Sequence, residues 1–143
     1  MKNHYFQSLE PLQKGQKVAL ADILDKLAVN DQGLIPVVTQ DAITKDVLML
    51  AWMNKTSIEQ TLSTGLMTYW SRSRNQFWIK GETSGHFQKL QSMRLDCDGD
   101  TILCLVNQEG PACHTGRSNC FYLQIDDSED GTKAAVSLLS SPP

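Results

Sequence analysis

The chain predicts an α+β domain. Short strand-like segments recur along it, each bounded by turn residues, and only two stretches carry helical spacing. A hydrophobic fraction of 41% and a charged fraction of 20% over 143 residues describe one ordinary globular domain with its own core. The formal net charge of −3 gives no reason to expect nucleic acid or a membrane surface as a partner. The longest apolar run, Val47 to Met53, is too short to span a bilayer. The first residues, MKNHYFQSLEPLQKG, hold no apolar segment of signal-peptide length. A cytoplasmic setting is therefore expected, in which thiols stay reduced.

Taken in order, residues 1–20 are polar and irregular and read as a loosely held arm. Ala21 to Ala28 spaces Ile23, Leu24, Leu27 and Ala28 as one face of a short helix. Leu34 to Thr39 is β-branched and apolar, a strand in which Pro36 points to an edge or a bulge. Asp41 to Asp46 reads as a hairpin loop leading into a strand over Val47 to Trp52. A second helix is expected from Thr56, with Thr56 and Glu59 as a capping box, Ile58, Leu62 and Leu66 as its apolar side, and Gly65 as its stop. Strand-like segments follow at Met67–Arg72, Phe77–Lys80, Gln88–Asp96, Thr101–Val106 and Cys120–Ile125. The folded body is thus expected over 21–125. Residues 126–143 are acidic, small and Pro-ended, and read as a disordered tail.

Three groups of residues carry chemistry. The first is Asp96-Cys-Asp-Gly-Asp100. On an extended strand the three aspartates share one face and Cys97 takes the other. Converging carboxylates repel one another unless a cation sits among them, and magnesium suits a few carboxylates plus phosphate oxygens. An EF-hand is excluded, because its sixth and twelfth positions are here Thr101 and Asn107. An acidic turn, with Asp and Gly present for turn chemistry, accounts for the same residues equally well.

The second group is the cysteines, spaced C-x6-C-x8-C-x6-C without any C-x2-C knuckle. Cys104 lies within an apolar strand and reads as a core residue. Cys97, Cys113 and Cys120 remain, and three protein ligands are what a catalytic zinc uses. Three thiolates would weaken zinc as a Lewis acid, so a nearby base is wanted. His86 and His114 are the histidines of the folded body. The third group is Arg72, Arg74, Lys80, Thr83 and Ser84, with Trp70 and Trp78. It offers cations, hydroxyls and flat rings to a phosphorylated nucleotide. On a strand, Arg72 and Arg74 would face the same way. Neither a Walker pattern nor GxGxxG occurs.

Six segments in order, GLIPVVTQD (33–41), VLMLAWMN (47–54), TGLMTYWSRSR (64–74), WIKGETSGH (78–86), DCDGD and ACHTGRSNCF (112–121), resemble phosphoribosyl-AMP cyclohydrolase, from about Leu24 to Ile125. The resemblance is to the single-function form, without a fused phosphoribosyl-ATP pyrophosphatase domain. It implies a mixed sheet and a homodimer with active sites at the subunit interface. It implies zinc, one per subunit, on Cys97, Cys113 and Cys120, with Cys97 supplied across the dimer. It also implies magnesium on Asp96, Asp98 and Asp100. The implied reaction opens the purine ring of a phosphoribosylated adenine nucleotide, with His114 or His86 moving protons. Arg72, Arg74, Lys80 and Arg117 are then candidates for its phosphates. A zinc nucleobase deaminase shares this chemistry, but its H-x-E and P-C-x-x-C signature is missing. A structural zinc or redox module would need neither the aspartates nor the arginines.

Overall fold

The computed structural model describes residues 3–126 and 135–143. Three helices, α1 (His4–Ser8), α2 (Leu20–Lys26) and α3 (Lys55–Thr64), accompany eight strands. The strands are β1 (Ile35–Asp41), β2 (Val47–Met53), β3 (Thr68–Ser71), β4 (Gln76–Ile79), β5 (Gln88–Leu95), β6 (Ile102–Gln108), β7 (Leu123–Asp126) and β8 (Ala135–Leu138). Four of them make one sheet in the order β2-β1-β6-β5, in which only the β1–β6 pair is parallel. β3–β4 and β7–β8 are separate antiparallel hairpins. The α+β class and the mixed, mostly antiparallel pairing match expectation. Among the described residues no helix is long and apolar enough to cross a membrane.

The core follows strand parity. Ile35, Val37 and Thr39 are fully buried on β1, and Ile102, Cys104 and Val106 are fully buried on β6. Met53, Met67, Tyr69 and Ile58 pack against them. Cys104 therefore sits in the core as read from the sequence, and burial pushes its thiol up to about 12.

Several expectations need correction. Pro36 lies on an interior strand, yet β6 begins to pair with β1 only at Val37, so the missing N–H breaks no ladder bond there. The cap of α3 is Asn54, not Thr56. The Asn54 Oδ1 accepts the Ser57 N–H at 2.9 Å, and Ser57 Oγ accepts the Asn54 N–H at 2.8 Å. Asparagine is the stronger cap, and it lies two residues before Thr56. The buried face is consequently Ser57, Ile58 and Thr61, while Leu62 is exposed. Gly65 does end the helix, in the left-handed conformation.

The arm is held rather than loose. α1 buries Phe6, whose ring lies directly on Gly99, and Asn3 Nδ2 donates to Lys26 O at 2.7 Å. The expected disordered tail is met by β8, which pairs Ala135–Leu138 with Leu123–Asp126. The rest of that expectation, over 127–134, lies outside the described residues.

Candidate active site

A cleft of about 640 Å³ opens between β4, the turn after it and the loop 111–116. From the β4 side it receives Arg74, Trp78 and Lys80; from the turn, Thr83, Ser84 and His86; from the loop, Cys113 and His114. Lys80 ties the two walls together. Its Nζ donates to Ala112 O at 2.5 Å and lies 5.8 Å from the Trp78 ring centroid. The turn is closed by Glu82 N–H to Ile79 O at 3.0 Å and Gly85 N–H to Gly81 O at 2.7 Å. Ser84 Oγ accepts the His86 N–H at 3.2 Å.

The loop 111–116 is a tight turn that presents Cys113. Its N–H donates to Arg117 O at 3.1 Å, and its carbonyl accepts the Gly116 N–H at 3.0 Å. Cys120 comes alongside because its own N–H donates to Leu48 O at 2.8 Å, which anchors it to β2. The two thiols perturb each other, and the pair is asymmetric. Burial alone would raise Cys113, but hydrogen bonds from Thr115, at 3.1 Å from its Sγ, and from Cys120, with the Arg117 charge, hold it below the ordinary thiol value. Burial and the neighbouring Cys113 push Cys120 up to about 11. Two adjacent sulfur donors, one of them favouring its charged form, suit a soft cation.

The segment 96–100 is not a strand. It is the hairpin loop between β5 and β6, with Gly99 at φ +69°. Asp96 Oδ1 accepts the N–H groups of Asp100 and Thr101 at 3.0 and 3.3 Å. The expected alternation of aspartates and cysteine across a strand is therefore corrected, because Asp96 bends the backbone through its own side chain. Burial would raise Asp96, yet the hydrogen bonds from Asp100 and from the loop amides hold it low. Asp100 is raised by its contact with Asp96. No described cation pairs with Asp96, Asp98 or Asp100; the ion pairs among the described residues are Lys55–Asp25 and Lys89–Glu109. Asp96 and Asp100 thus stand close enough to perturb each other with no cation of the described residues between them.

Cys97 is exposed and opens on a different hollow of about 340 Å³, shared with Phe6, Ile23, Leu95 and Asp96. Among the described residues no three His, Cys, Asp or Glu side chains converge within this one chain. The expected ligands thus fall into two half-sites, one with Cys113 and Cys120, the other with Cys97 and the aspartates.

The expected basic cluster also divides. Arg72 and Arg74 lie in the β3–β4 turn, not on a strand, and do not share a face. Arg74 lines the cleft. Arg72 stacks 4.5 Å over the Trp52 ring and lines another hollow with Trp70 and Asn75. Arg117 lies 3.9 Å over the Tyr122 ring and donates from Nε to Ser140 O at 3.3 Å. Sequence reasoning missed the cleft's link through Ala112 O, which carries no local signal.

The sequence model described as phosphoribosyl-AMP cyclohydrolase matches residues 49–122. The chain is 58% identical to a phosphoribosyl-AMP cyclohydrolase of Roseobacter denitrificans, over 74% of this chain and 83% of the relative. It is 61% identical to that of Magnetococcus marinus, over 73% and 81%. It is 52% identical to phosphoribosyl-AMP cyclohydrolase 2 of Pseudomonas fluorescens, over 94% and 87%. The matched region contains the residues lining the cleft and all four cysteines, and the chain belongs to the phosphoribosyl-AMP cyclohydrolase family of enzymes.

Proposed function

We propose that this enzyme hydrolyses the N1–C6 bond of the adenine ring of 1-(5-phosphoribosyl)-AMP, the third step of histidine biosynthesis, as a cytoplasmic homodimer that uses zinc and magnesium. The observation that carries the reading is the cleft in which Lys80, Thr83, Ser84, His86, Cys113 and His114 meet.

The split ligand set supports two subunits per site. The loop with Cys97 and the aspartates precedes Ile102 at one end of β6, whereas Gln108 at the other end adjoins His86. At the rise of a strand the two ends of β6 are roughly 20 Å apart. Cys97 of one subunit therefore completes the Cys113–Cys120 pair of another. Zinc held by these three thiols would supply Lewis acidity to activate water, and magnesium held by the aspartates would offset phosphate charge.

Everything else falls to the chain. Alkylation at N1 makes C6 electrophilic. Water oxygen bonds to C6, the N1–C6 bond breaks, N1 takes a proton, and the exocyclic nitrogen stays in the product as a carboxamide. His86 or His114 takes the proton from water and returns it to N1. Trp78 gives the base a flat wall, and Arg74 and Lys80 with the hydroxyls of Thr83 and Ser84 meet a phosphate. Arg72 with Trp70, and Arg117, stand outside this cleft and serve the other phosphoribosyl end.

The turnover assay decides. Incubated with phosphoribosyl-AMP, zinc and magnesium, the protein should remove purine absorbance without releasing ammonia. Ammonia release would favour a deaminase, and no turnover would favour a structural zinc module. Bound zinc should be about one per subunit and should vanish in Cys113→Ser. An Arg74→Ala variant with unchanged kinetics would remove the phosphate assignment.

A further inference from the structure

We propose that Gln108 and Gln88 are positioning residues that hold His86 in the cleft, acting through a hydrogen-bonded chain that starts in the centre of the core. The inference rests on the reading of the cleft given above and takes His86, of the two histidines named there, as the one that moves a proton.

Gln88 is fully buried, a costly place for an amide unless every polar atom is bonded. Every one is. Its Oε1 accepts the Tyr69 hydroxyl at 2.6 Å, and its Nε2 donates to Gln108 Oε1 at 2.8 Å and to Met49 Sδ at 3.4 Å. Tyr69, itself fully buried, also bonds Thr39 Oγ1 at 2.7 Å. Gln88 and Gln108 are cross-strand partners at the open end of the β5–β6 ladder. There Gln108 Nε2 turns outward and donates to His86 O at 3.3 Å and Glu109 O at 3.1 Å. The chain of bonds thus runs from Thr39 in the sheet to the backbone of His86. A satisfied buried network of this kind fixes one arrangement where an apolar pair would tolerate several.

The surroundings of His86 are shaped to the same end. A Cβ on Gly110 would lie 2.5 Å from His86 Cδ2, so the ring rests against a face that only glycine leaves open. On the other side, a Cβ on Gly81 would lie 2.4 Å from the His86 carbonyl carbon. Glu109 N–H donates to Phe87 O at 2.9 Å and closes the frame. None of the hydrogen bonds among the described residues uses the imidazole of His86, whose backbone is held at both N–H and C=O. The ring is placed by its backbone and by Gly110, which its Cδ2–Nε2 edge faces.

The test uses the full-length enzyme with zinc and magnesium and compares Gln108→Leu, Gly110→Ala and His86→Ala with wild type. Turnover is read together with imidazole nitrogen–proton NMR, which is simple to assign because the chain has three histidines. Gln108→Leu and Gly110→Ala should each lower kcat about 10- to 100-fold, the scale of a misplaced catalytic group, with KM within about twofold. The His86 resonance should move while those of His4 and His114 stay. Wild-type kcat and an unmoved His86 resonance in both variants, with His86→Ala impaired, would overturn this inference alone. So would equal shifts of all three histidines, which would mark a general loss of structure. Wild-type turnover in His86→Ala would overturn the underlying assignment of His86, and this inference with it.

Discussion

Two hairpin loops, at opposite ends of the four-stranded sheet, solve the same backbone problem with different means. In the β1–β2 loop, Asp41 Oδ1 accepts the N–H groups of Ile43 and Thr44, each at 2.9 Å. In the β5–β6 loop, Asp96 Oδ1 does the same for Asp100 and Thr101. One residue in each loop adopts the left-handed conformation, Lys45 at φ 67° and Gly99 at φ 69°. There the likeness ends. The first loop needs a single carboxylate for its turn and carries Lys45 beside it. The second adds Asp98, Asp100 and Cys97, none of which the turn requires. Side chains in excess of what the fold asks for are the mark of a site.

The sharpest way to break that comparison is to neutralise the surplus. Asp98→Asn should lower turnover by about 100-fold, at or beyond the upper end of what losing a supporting metal contact costs, and leave the thermal midpoint nearly unchanged. Asp46→Asn in the first loop should do neither. If steady-state assays across a magnesium titration show Asp98→Asn at wild-type rates, the extra carboxylates serve no cation.

The next contrast concerns the glycine. Lys45 shows that a side chain is tolerated at this turn position, but Gly99 is covered by Phe6, and a Cβ there would lie 2.2 Å from the ring. Gly99→Ala should therefore cost about 2–3 kcal/mol, combining left-handed strain with overpacking. Urea melts of Gly99→Ala, Phe6→Ala and the double variant should show the double losing less than the sum, because removing the ring makes room for the methyl. Strict additivity would mean that the arm does not bear on the loop.

The smallest effect is electrostatic. The amides of Thr44 and Ile43 hold the Asp41 carboxyl below its usual value. Its contribution to stability is then fully present above the unfolded carboxylate value of about 3.9 and is lost as pH falls through the lower folded value. Asp41→Asn keeps the acceptor and loses the charge, so its urea midpoint should fall less than wild type between about pH 5 and pH 2.5. An equal fall would assign acid sensitivity to other groups.

Much of this molecule is legible along the chain. Apolar and β-branched runs announced β1, β2 and β6, and Gly65 announced the end of α3. What failed was local competition between near-equal signals. Thr56 reads as the cap, whereas the hydrogen bonds of Asn54 with Ser57 start the helix earlier. Phe6, one apolar residue in a polar arm, has no periodicity to reveal that it seats on Gly99. The division of Arg72 from Arg74 depends on a turn that a strand-like pattern hid.

By itself the sequence determined the α+β class, the core position of Cys104, and the donor types: soft thiols, hard carboxylates and two histidines. These follow from period, burial preference and ligand chemistry, all of which are properties of single residues or near neighbours. Only the tertiary structure decided that Asp96-Cys-Asp-Gly-Asp100 is a loop, that Cys97 stands apart from Cys113 and Cys120, and that Gln108 reaches His86. Each of those depends on which strands pair and in what register, and cross-strand register joins residues that no spacing along the chain connects.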